Sequence, residues 1–256
     1  MRQRLDVLMV GRGLTASREK AQALILAGCV MVDGQKATKP GHNYSPSCRV
    51  ELLGQMPYVS RGGFKLAAAL DHWRIDPWGL VCADVGASTG GFTDCLLQRG
   101  AAKVFSIDVG DTQLDWKLQT HPQVVVKDHL NARHLTPADL GEPVSLIVTD
   151  VSFISVTLIA AAMAGVLAAD GEMVILIKPQ FEVGREQVGK GGIVREPELH
   201  QAACQKVRQF VEQLGFLTDL IDSPILGAEG NREFLLYARR PPREENVARD
   251  DKALTE

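Results

Sequence analysis

The stretch that decides the fold is residues 81–93, VCADVGASTGGFT. It begins as a mostly apolar strand, and the glycine-rich turn that follows opens a helix. Glycine is needed where a backbone turns tightly and a ligand lies against it. The spacing is D-x-G-x-x-x-G-G, and Ser88 breaks the GxGxxG pattern of dinucleotide oxidoreductases. The stretch therefore predicts a strand, a nucleoside-binding turn and a helix, and it disfavours a dinucleotide enzyme.

The chain after residue 66 alternates helices with short apolar strands. Such alternation predicts an α/β domain with a doubly wound, mostly parallel sheet of seven strands. The predicted strands are 80–85, 103–108, 123–127, 144–149, 173–178, 216–221 and 233–239. Asp108 ends the second strand, where a carboxylate can accept both ribose hydroxyls of a nucleoside. Asp128 ends the third, although a strand-end cap would explain either aspartate.

The first 57 residues follow a different pattern. Helical spacing over 5–10 ends at Gly11, and a second helix opens at Ser17 and ends at Gly28. A strand over 30–32 enters an Asp-Gly turn, residues 40–46 are a predicted loop, and 49–53 form a short strand. We predict three regions: a small α+β domain over 1–57, the α/β domain over 58–240, and a polar, disordered tail over 241–256.

The charge is distributed unevenly between these regions. The whole chain has a formal net charge of −3. Residues 1–65 carry ten Lys or Arg against four Asp or Glu, a net of +6, and the remainder carries −9. A basic head on an acidic body is expected when one part meets a polyanion such as RNA, although a solvated basic face would give the same count.

Cysteine usage and apolar runs bear on the compartment. The five cysteines are an odd number without a CxxC pair, which indicates reduced thiols and a cytoplasmic protein. The charged start leads into no signal-peptide core. Residues 151–169 hold 19 residues without a charge, long enough to span a membrane. Since small and hydroxyl residues make up ten of them, we favour a buried helix beside the sheet and expect no membrane span.

A glycine-rich loop over 184–192 nearly spells a Walker A motif. The residue after Lys190 should be Ser or Thr to bind magnesium, and it is Gly191. ATP hydrolysis is therefore disfavoured. We expect a mobile loop over the substrate, with Arg185 and Lys190 near phosphate.

Two charged residues end neighbouring apolar strands. Asp150 follows the fourth strand and Lys178 ends the fifth, where Pro179 stops it. Ligands bind at the carboxyl ends of the strands in an open parallel sheet. We therefore expect both side chains to face the crevice of the glycine loop.

The head resembles the S4 RNA-binding domain over residues 2 to about 53. The resemblance rests on the Arg4-Leu5-Asp6 helix, Ser17-Arg18, Gly28 and the Val30–Gly34 strand and turn. It implies two short helices on a small sheet, with basic side chains that neutralise RNA phosphates and read little sequence. The predicted RNA-binding residues are Arg4, Arg12, Arg18, Lys20, Arg61, Arg185 and Lys190.

The glycine loop resembles the first motif of class I S-adenosylmethionine-dependent methyltransferases. That resemblance implies a Rossmann-like domain that binds S-adenosylmethionine and releases S-adenosylhomocysteine. The predicted cofactor-binding residues are Asp84, Gly86, Ser88, Gly90, Gly91, Phe92, Asp108 and Asp128, and the resemblance implies that Asp128 lies near the adenine edge.

Four further residues resemble the Lys-Asp-Lys-Glu tetrad of FtsJ-like ribose 2′-O-methyltransferases: Lys65, Asp150, Lys178 and Glu233. A ribose hydroxyl is a poor nucleophile while protonated, and a lysine accepts its proton only when neutral. Burial and a second ammonium nearby both favour the neutral amine. We predict Lys178 as the base or hydroxyl-orienting residue, positioned by Lys65, with the carboxylates orienting both. A sulfonium donor is already activated, so we expect no metal. Structural ion pairs are the alternative.

The combination resembles the TlyA family over residues 2 to about 240. The motifs SRGG at 60–63, DVSFIS at 150–155, KPQFE at 178–182 and GKGG at 189–192 carry it. It implies methyl transfer to the ribose of cytidine in ribosomal RNA of the large subunit, with the small subunit left open, so the expected partners are ribosomal RNA or ribosomal subunits. The alternatives are a haemolysin-like membrane-active protein and an S4-type RNA-binding protein without activity.

Overall fold

The computed structural model describes residues 2–26, 28–54, 57–111, 113–227 and 230–241. The tail predicted to be disordered lies outside these residues apart from Pro241, and the boundary drawn at residue 57 stays a prediction.

The described residues of the head form two helices and five short strands. The helices are α1 (Leu5–Gly11) and α2 (Arg18–Leu26). The strands are β1 (Gln3–Arg4), β2 (Val30–Val32), β3 (Gln35–Lys36), β4 (Asn43–Tyr44) and β5 (Val50–Leu52). Both helices bury one apolar face, with Leu5, Met9 and Ile25 fully enclosed. The prediction that residues 40–46 form a loop is wrong at 43–44, because these two residues form β4, which pairs antiparallel with β1.

The body is built on the predicted seven-stranded sheet. Its strands are β6 (Val81–Val85), β7 (Lys103–Ile107), β8 (Val124–Lys127), β9 (Val144–Thr149), β10 (Leu167–Ile177), β11 (Leu217–Asp222) and β12 (Phe234–Arg239). The spatial order is β11-β12-β10-β9-β6-β7-β8. The five strands from β10 to β8 run parallel, whereas β12 and β11 are antiparallel to their neighbours. The predicted α/β class and mostly parallel sheet are confirmed.

Helices cover both faces of this sheet. They are α3 (Gly62–Trp73), α4 (Gly91–Gln98), α5 (Trp116–Gln119), α6 (Pro137–Leu140), α7 (Ala160–Val166), α8 (Pro179–Glu182) and α9 (Pro197–Gln213). Alternate residues of β10 enter opposite cores, Met173 and Ile175 on one side and Val174 and Leu176 on the other. Burial on both faces explains the continuous apolar run over 173–177 at the end of β10.

The uncharged stretch at 151–169 is not one helix. A 3₁₀ turn at Val156–Leu158 precedes α7, and from Leu167 the chain already belongs to β10. The strand begins six residues earlier than predicted, with a shift in register between Leu167 and Glu172. Within the described parts of the chain, no helix is long and apolar enough to cross a membrane.

Candidate active site

Two cavities open at the carboxyl ends of the parallel strands. The larger, about 640 Å³, is lined by residues that include Gly86, Asp108, Arg133, Ser152 and Phe153. The smaller, about 90 Å³, shares Gly86 and Ser88 with the first. Both lie at the edge where an open parallel sheet binds ligands.

The glycines of the β6–α4 turn are required by close packing. Gly86 has φ +83°, and a Cβ there would lie 2.8 Å from the carbonyl oxygen of Asp150. A Cβ on Gly91 would lie 2.1 Å from Ser60 Oγ and 3.0 Å from the backbone nitrogen of Gly63. Residues 60–63 therefore cross directly against the glycine turn, which brings the start of α3 to the smaller cavity. Gly90, Ser88 and Phe92 complete this turn, and Ser88 adopts φ +47°.

Asp84 is the most deeply buried carboxylate of the site. Its Oδ2 accepts hydrogen bonds from the backbone N–H and hydroxyl of Thr93, at 2.8 and 2.7 Å. Its Oδ1 is buried without a hydrogen-bond partner among the described residues. Burial raises the pKa of Asp84 to about 7, although the two hydrogen bonds from Thr93 act to lower it. An unpartnered carboxylate oxygen beside a small cavity is suited to a cationic ligand.

The two other predicted cofactor aspartates differ in position. Asp108 lines the larger cavity and accepts hydrogen bonds from the N–H groups of Ser88 and Gly110. Each carboxylate oxygen keeps a further lone pair for a ligand. Asp128 is half-buried, and the cavity is lined instead by the following residues 130–133. A role for Asp128 at the adenine edge stays a prediction.

The predicted tetrad forms two separate lysine–carboxylate pairs. Lys178 Nζ lies 2.5 Å from Asp150 Oδ1, and Lys65 Nζ lies 2.5 Å from Glu233 Oε2. Each lysine thus contacts its own carboxylate, and the predicted action of a second ammonium on Lys178 stays a prediction.

Strand order explains why these four residues meet. Asp150 follows β9 and Lys178 follows β10, so the parallel neighbours deliver both to one edge. Glu233 precedes β12, whose antiparallel register pairs Phe234 with Ile177. The start of β12 therefore lies at the same edge. Lys65 comes from the first turn of α3, next to the fully buried Leu66.

Sequence reasoning missed two polar residues beside the tetrad. Lys178 Nζ donates a hydrogen bond to Ser152 Oγ at 2.9 Å. Glu182 is buried at the end of α8, where it accepts from Ser155 Oγ and the N–H of Val156 and pairs with Lys206. Glu182 thus ties the loop after β9 to the loop after β10. Both residues belong to quoted motifs, and only their strand-end position could have indicated a role.

The predicted RNA-binding residues differ in their surroundings. Arg4 and Arg18 both pair with the buried Asp6 while staying about half exposed. Arg12 donates hydrogen bonds to the carbonyls of Cys48 and Pro46. These contacts fix the arginines on the head without enclosing them. The exposed group comprises Lys20, Arg185 and Lys190.

Arg61 occupies a setting of its own. It is half-buried, and its guanidinium donates to the carbonyl of Leu226. Burial lowers the pKa of Arg61, and the nearby Glu233 carboxylate opposes that effect. The surroundings favour a structural contact beside the tetrad, and RNA binding by Arg61 stays a prediction.

Comparison with known families agrees with this geometry. The profile of the FtsJ-like methyltransferases matches residues 58–240, and that of the S4 domain matches residues 3–50. A Mycobacterium tuberculosis protein named 16S/23S rRNA (cytidine-2′-O)-methyltransferase TlyA is 44% identical over 241 residues, covering 93% of this chain and 90% of that protein. The chain belongs to the TlyA family.

TlyA-family proteins carry more than one kind of name. A Brachyspira hyodysenteriae relative named Hemolysin A is 42% identical over 236 residues, covering 91% of this chain and 98% of that protein. A solved structure from Streptococcus thermophilus, described as a candidate hemolysin, is 41% identical with a TM-score of 0.72. The match covers 93% of this chain and 88% of that one. The TlyA-family fold therefore extends over head and body.

Proposed function

We propose that this chain transfers a methyl group from S-adenosylmethionine to the ribose 2′-hydroxyl of cytidine in ribosomal RNA. The observation that carries the proposal is the pair of lysine–carboxylate contacts, since Asp150 lines the smaller cavity and Ser152, which accepts a hydrogen bond from Lys178, lines the larger one. The name of the Mycobacterium tuberculosis relative supports cytidine as the target and both subunits as substrates. Such a substrate implies a cytoplasmic protein.

The residues present fit the proposed donor. Asp84 offers an unpartnered oxygen to an ammonium group, and Asp108 lines the larger cavity, where ribose hydroxyls would be accepted. Gly86 and Gly91 leave room that a side chain would fill. When bound, S-adenosylmethionine supplies a methyl group activated on a sulfonium, whose C–S bond breaks as the new O–C bond forms.

The protein's own task is to orient the ribose hydroxyl and receive its proton. Lys178 is held from two sides, by Asp150 and by Ser152. Since Lys178 and Asp150 are in contact, we assign receipt of the hydroxyl proton to this pair. Lys65 and Glu233 are enclosed, so we assign them to positioning.

The basic head would supply much of the attraction to RNA. Phosphate neutralisation gives affinity and salt dependence and carries little sequence information. Choice of the nucleotide therefore depends on contacts other than those to phosphate.

Methyl transfer to purified substrates tests the proposal. Tritiated S-adenosylmethionine is incubated with the full chain and with 30S subunits, 50S subunits or naked ribosomal RNA, and labelled nucleotides are mapped after nuclease digestion. We expect label in 2′-O-methylcytidine. No label in any substrate, or label on a base, would overturn the proposal. Liposome leakage measured on the same protein separates it from a membrane-active function.

A further inference from the structure

The buried side chain of Asn231 anchors the glycine-rich loop over 189–194 at two backbone groups. Asn231 Nδ2 donates a hydrogen bond to the carbonyl of Gly192 at 2.9 Å, and its Oδ1 accepts one from the N–H of Val194 at 3.1 Å. The residue is 4% exposed. One amide group thus holds two backbone groups of the same loop, using a donor and an acceptor that no aliphatic side chain offers.

The loop is otherwise closed on itself and carries its charge outward. The N–H of Gly189 donates to the carbonyl of Ile193, and that of Gly192 donates to the carbonyl of Gly189. His200 of α9 contacts the carbonyl of Val194 through Nε2 at 2.9 Å. Lys190 is exposed at the turn. The closed turn therefore presents one cation at a place that Asn231 and His200 fix.

Asn231 is also close in sequence to the tetrad. Glu233 follows two residues later, and its backbone carbonyl accepts a hydrogen bond from the N–H of Ser223. The backbone carbonyl of Asn231 accepts a hydrogen bond from the N–H of Gly227. A Cβ on Gly227 would lie 2.1 Å from Glu233 Oε1, so this turn packs directly against the Glu233 carboxylate. The segment that places the Glu233 carboxylate against Lys65 thus also holds the loop.

We propose that Asn231 is a positioning residue that sets the distance between Lys190 and the tetrad. Lys190 would contact an RNA phosphate while the target ribose lies at Lys178. A fixed separation lets both contacts form without ordering a loose loop on binding, which would lower affinity. The proposal rests on the proposed function, since its ligand is the phosphate backbone of the RNA substrate.

The test pairs two changes at Asn231 with removal of the loop charge. Asn231→Ala removes both hydrogen bonds, and Asn231→Asp keeps the acceptor while losing the donor to Gly192. We expect each to raise the KM for ribosomal RNA by about tenfold with kcat within about twofold, because the phosphate contact is the same in the ground and transition states. Affinity for S-adenosylmethionine should stay within about twofold.

Non-additivity separates positioning from a general structural role. Lys190→Ala alone should raise the KM for RNA by at least about tenfold, since Asn231 acts through Lys190, but by less than about twofold in the Asn231→Ala background. Arg239→Ala is the matched charge control, since it removes an exposed cation at the far end of β12, about 17 Å along the strand. It should leave KM unchanged in both backgrounds.

Trypsin cleavage after Lys190 reports the anchor without any RNA. We expect Asn231→Ala to be cut there at least about tenfold faster, since a released loop opens at lower free energy. Unchanged cleavage, additive KM effects, or loss of S-adenosylmethionine binding with a lowered Tm would each overturn the inference. If the wild-type chain methylates nothing, the proposed function fails, and the inference is then decided by the cleavage rate and by the same double-mutant comparison of RNA affinities.

Discussion

The two lysine–carboxylate pairs of the site use the same chemistry at different depths. Both are 2.5 Å contacts. In the Lys65–Glu233 pair the side chains are 8% and 2% exposed, whereas in the Lys178–Asp150 pair they are 12% and 23% exposed. The first pair is enclosed beside Gly227, and the second has a carboxylate that lines the smaller cavity. Under the proposed function, we assign the more exposed pair to the reactants and the enclosed pair to positioning.

Removal of the accessible lysine should have the largest effect. We expect Lys178→Ala to lower kcat by about 10³-fold, the usual range for loss of a group that transfers a proton. Binding of S-adenosylmethionine should persist, because Lys178 belongs to neither the glycine turn nor the residues lining the larger cavity. Single-turnover methyl transfer and calorimetric binding measure the two effects, and circular dichroism checks the fold. Normal turnover would end the assignment.

Loss of the enclosed carboxylate should appear mainly in stability. Glu233→Gln leaves the Lys65 ammonium buried without its counter-charge, and breaking such a pair destabilises a protein by about 3 kcal/mol. Asp150→Asn should lower the free energy of unfolding by less than about 1 kcal/mol, since Lys178 keeps Ser152 and partial access to water. Urea unfolding of both variants gives the comparison. Equal losses of unfolding free energy in the two variants would show that burial does not distinguish the two lysine–carboxylate pairs.

Most of the fold that places these two pairs could be predicted from local sequence. Apolar runs bounded by glycine, proline or charge predicted all seven strands, because both faces of a parallel sheet are buried. Asp150 and Lys178 could be placed together, since parallel strands end at one edge. The early start of β10 was missed, because it depends on a register shift against β9.

What escaped prediction depends on contacts between distant residues. The pairing of Glu233 with Lys65 follows from the antiparallel register of β12 on β10, which no spacing in the sequence reveals. The two-residue strand β4 has too little periodicity to detect, and it exists because β1 pairs with it about 40 residues away. The half-burial of Arg61 and the anchoring by Asn231 also arise from segments that meet only in the folded chain.

Asp84 is a third carboxylate of the site. Its hydrogen-bond donor is Thr93, whereas Asp150 and Glu233 are each paired with a lysine. Burial raises the pKa of Asp84 to about 7, so the carboxyl is largely protonated at pH 6 and ionised above pH 7. If the ionised form binds the ammonium of S-adenosylmethionine, affinity should rise by roughly eightfold from pH 6 to pH 7.5. Calorimetric titration at several pH values measures this rise.

Asp84→Asn is the control for that titration, because an amide keeps the shape and an acceptor for Thr93 but does not titrate. Affinity for S-adenosylmethionine in this variant should be weak and independent of pH over the same interval. A rise of equal size in both proteins would assign the titration to another group.

The head offers the mildest version of the same contrast, between an exposed cation and a paired one. Lys20 is exposed on α2, whereas Arg4 donates two hydrogen bonds to the buried Asp6 and holds the pKa of that carboxyl well below its usual range. If both neutralise phosphate, Lys20→Gln and Arg4→Gln should each reduce the slope of log affinity against log salt by about one, a change of a fewfold in RNA affinity. Only Arg4→Gln should also lower the Tm, since it removes part of the network that keeps Asp6 ionised in the core of the head.

Filter binding at several salt concentrations, with thermal unfolding of the same samples, measures both effects. An unchanged slope in Lys20→Gln would mean that the exposed charge faces solvent in the complex, and the attraction to RNA would then have to come from cations that the fold already holds in place.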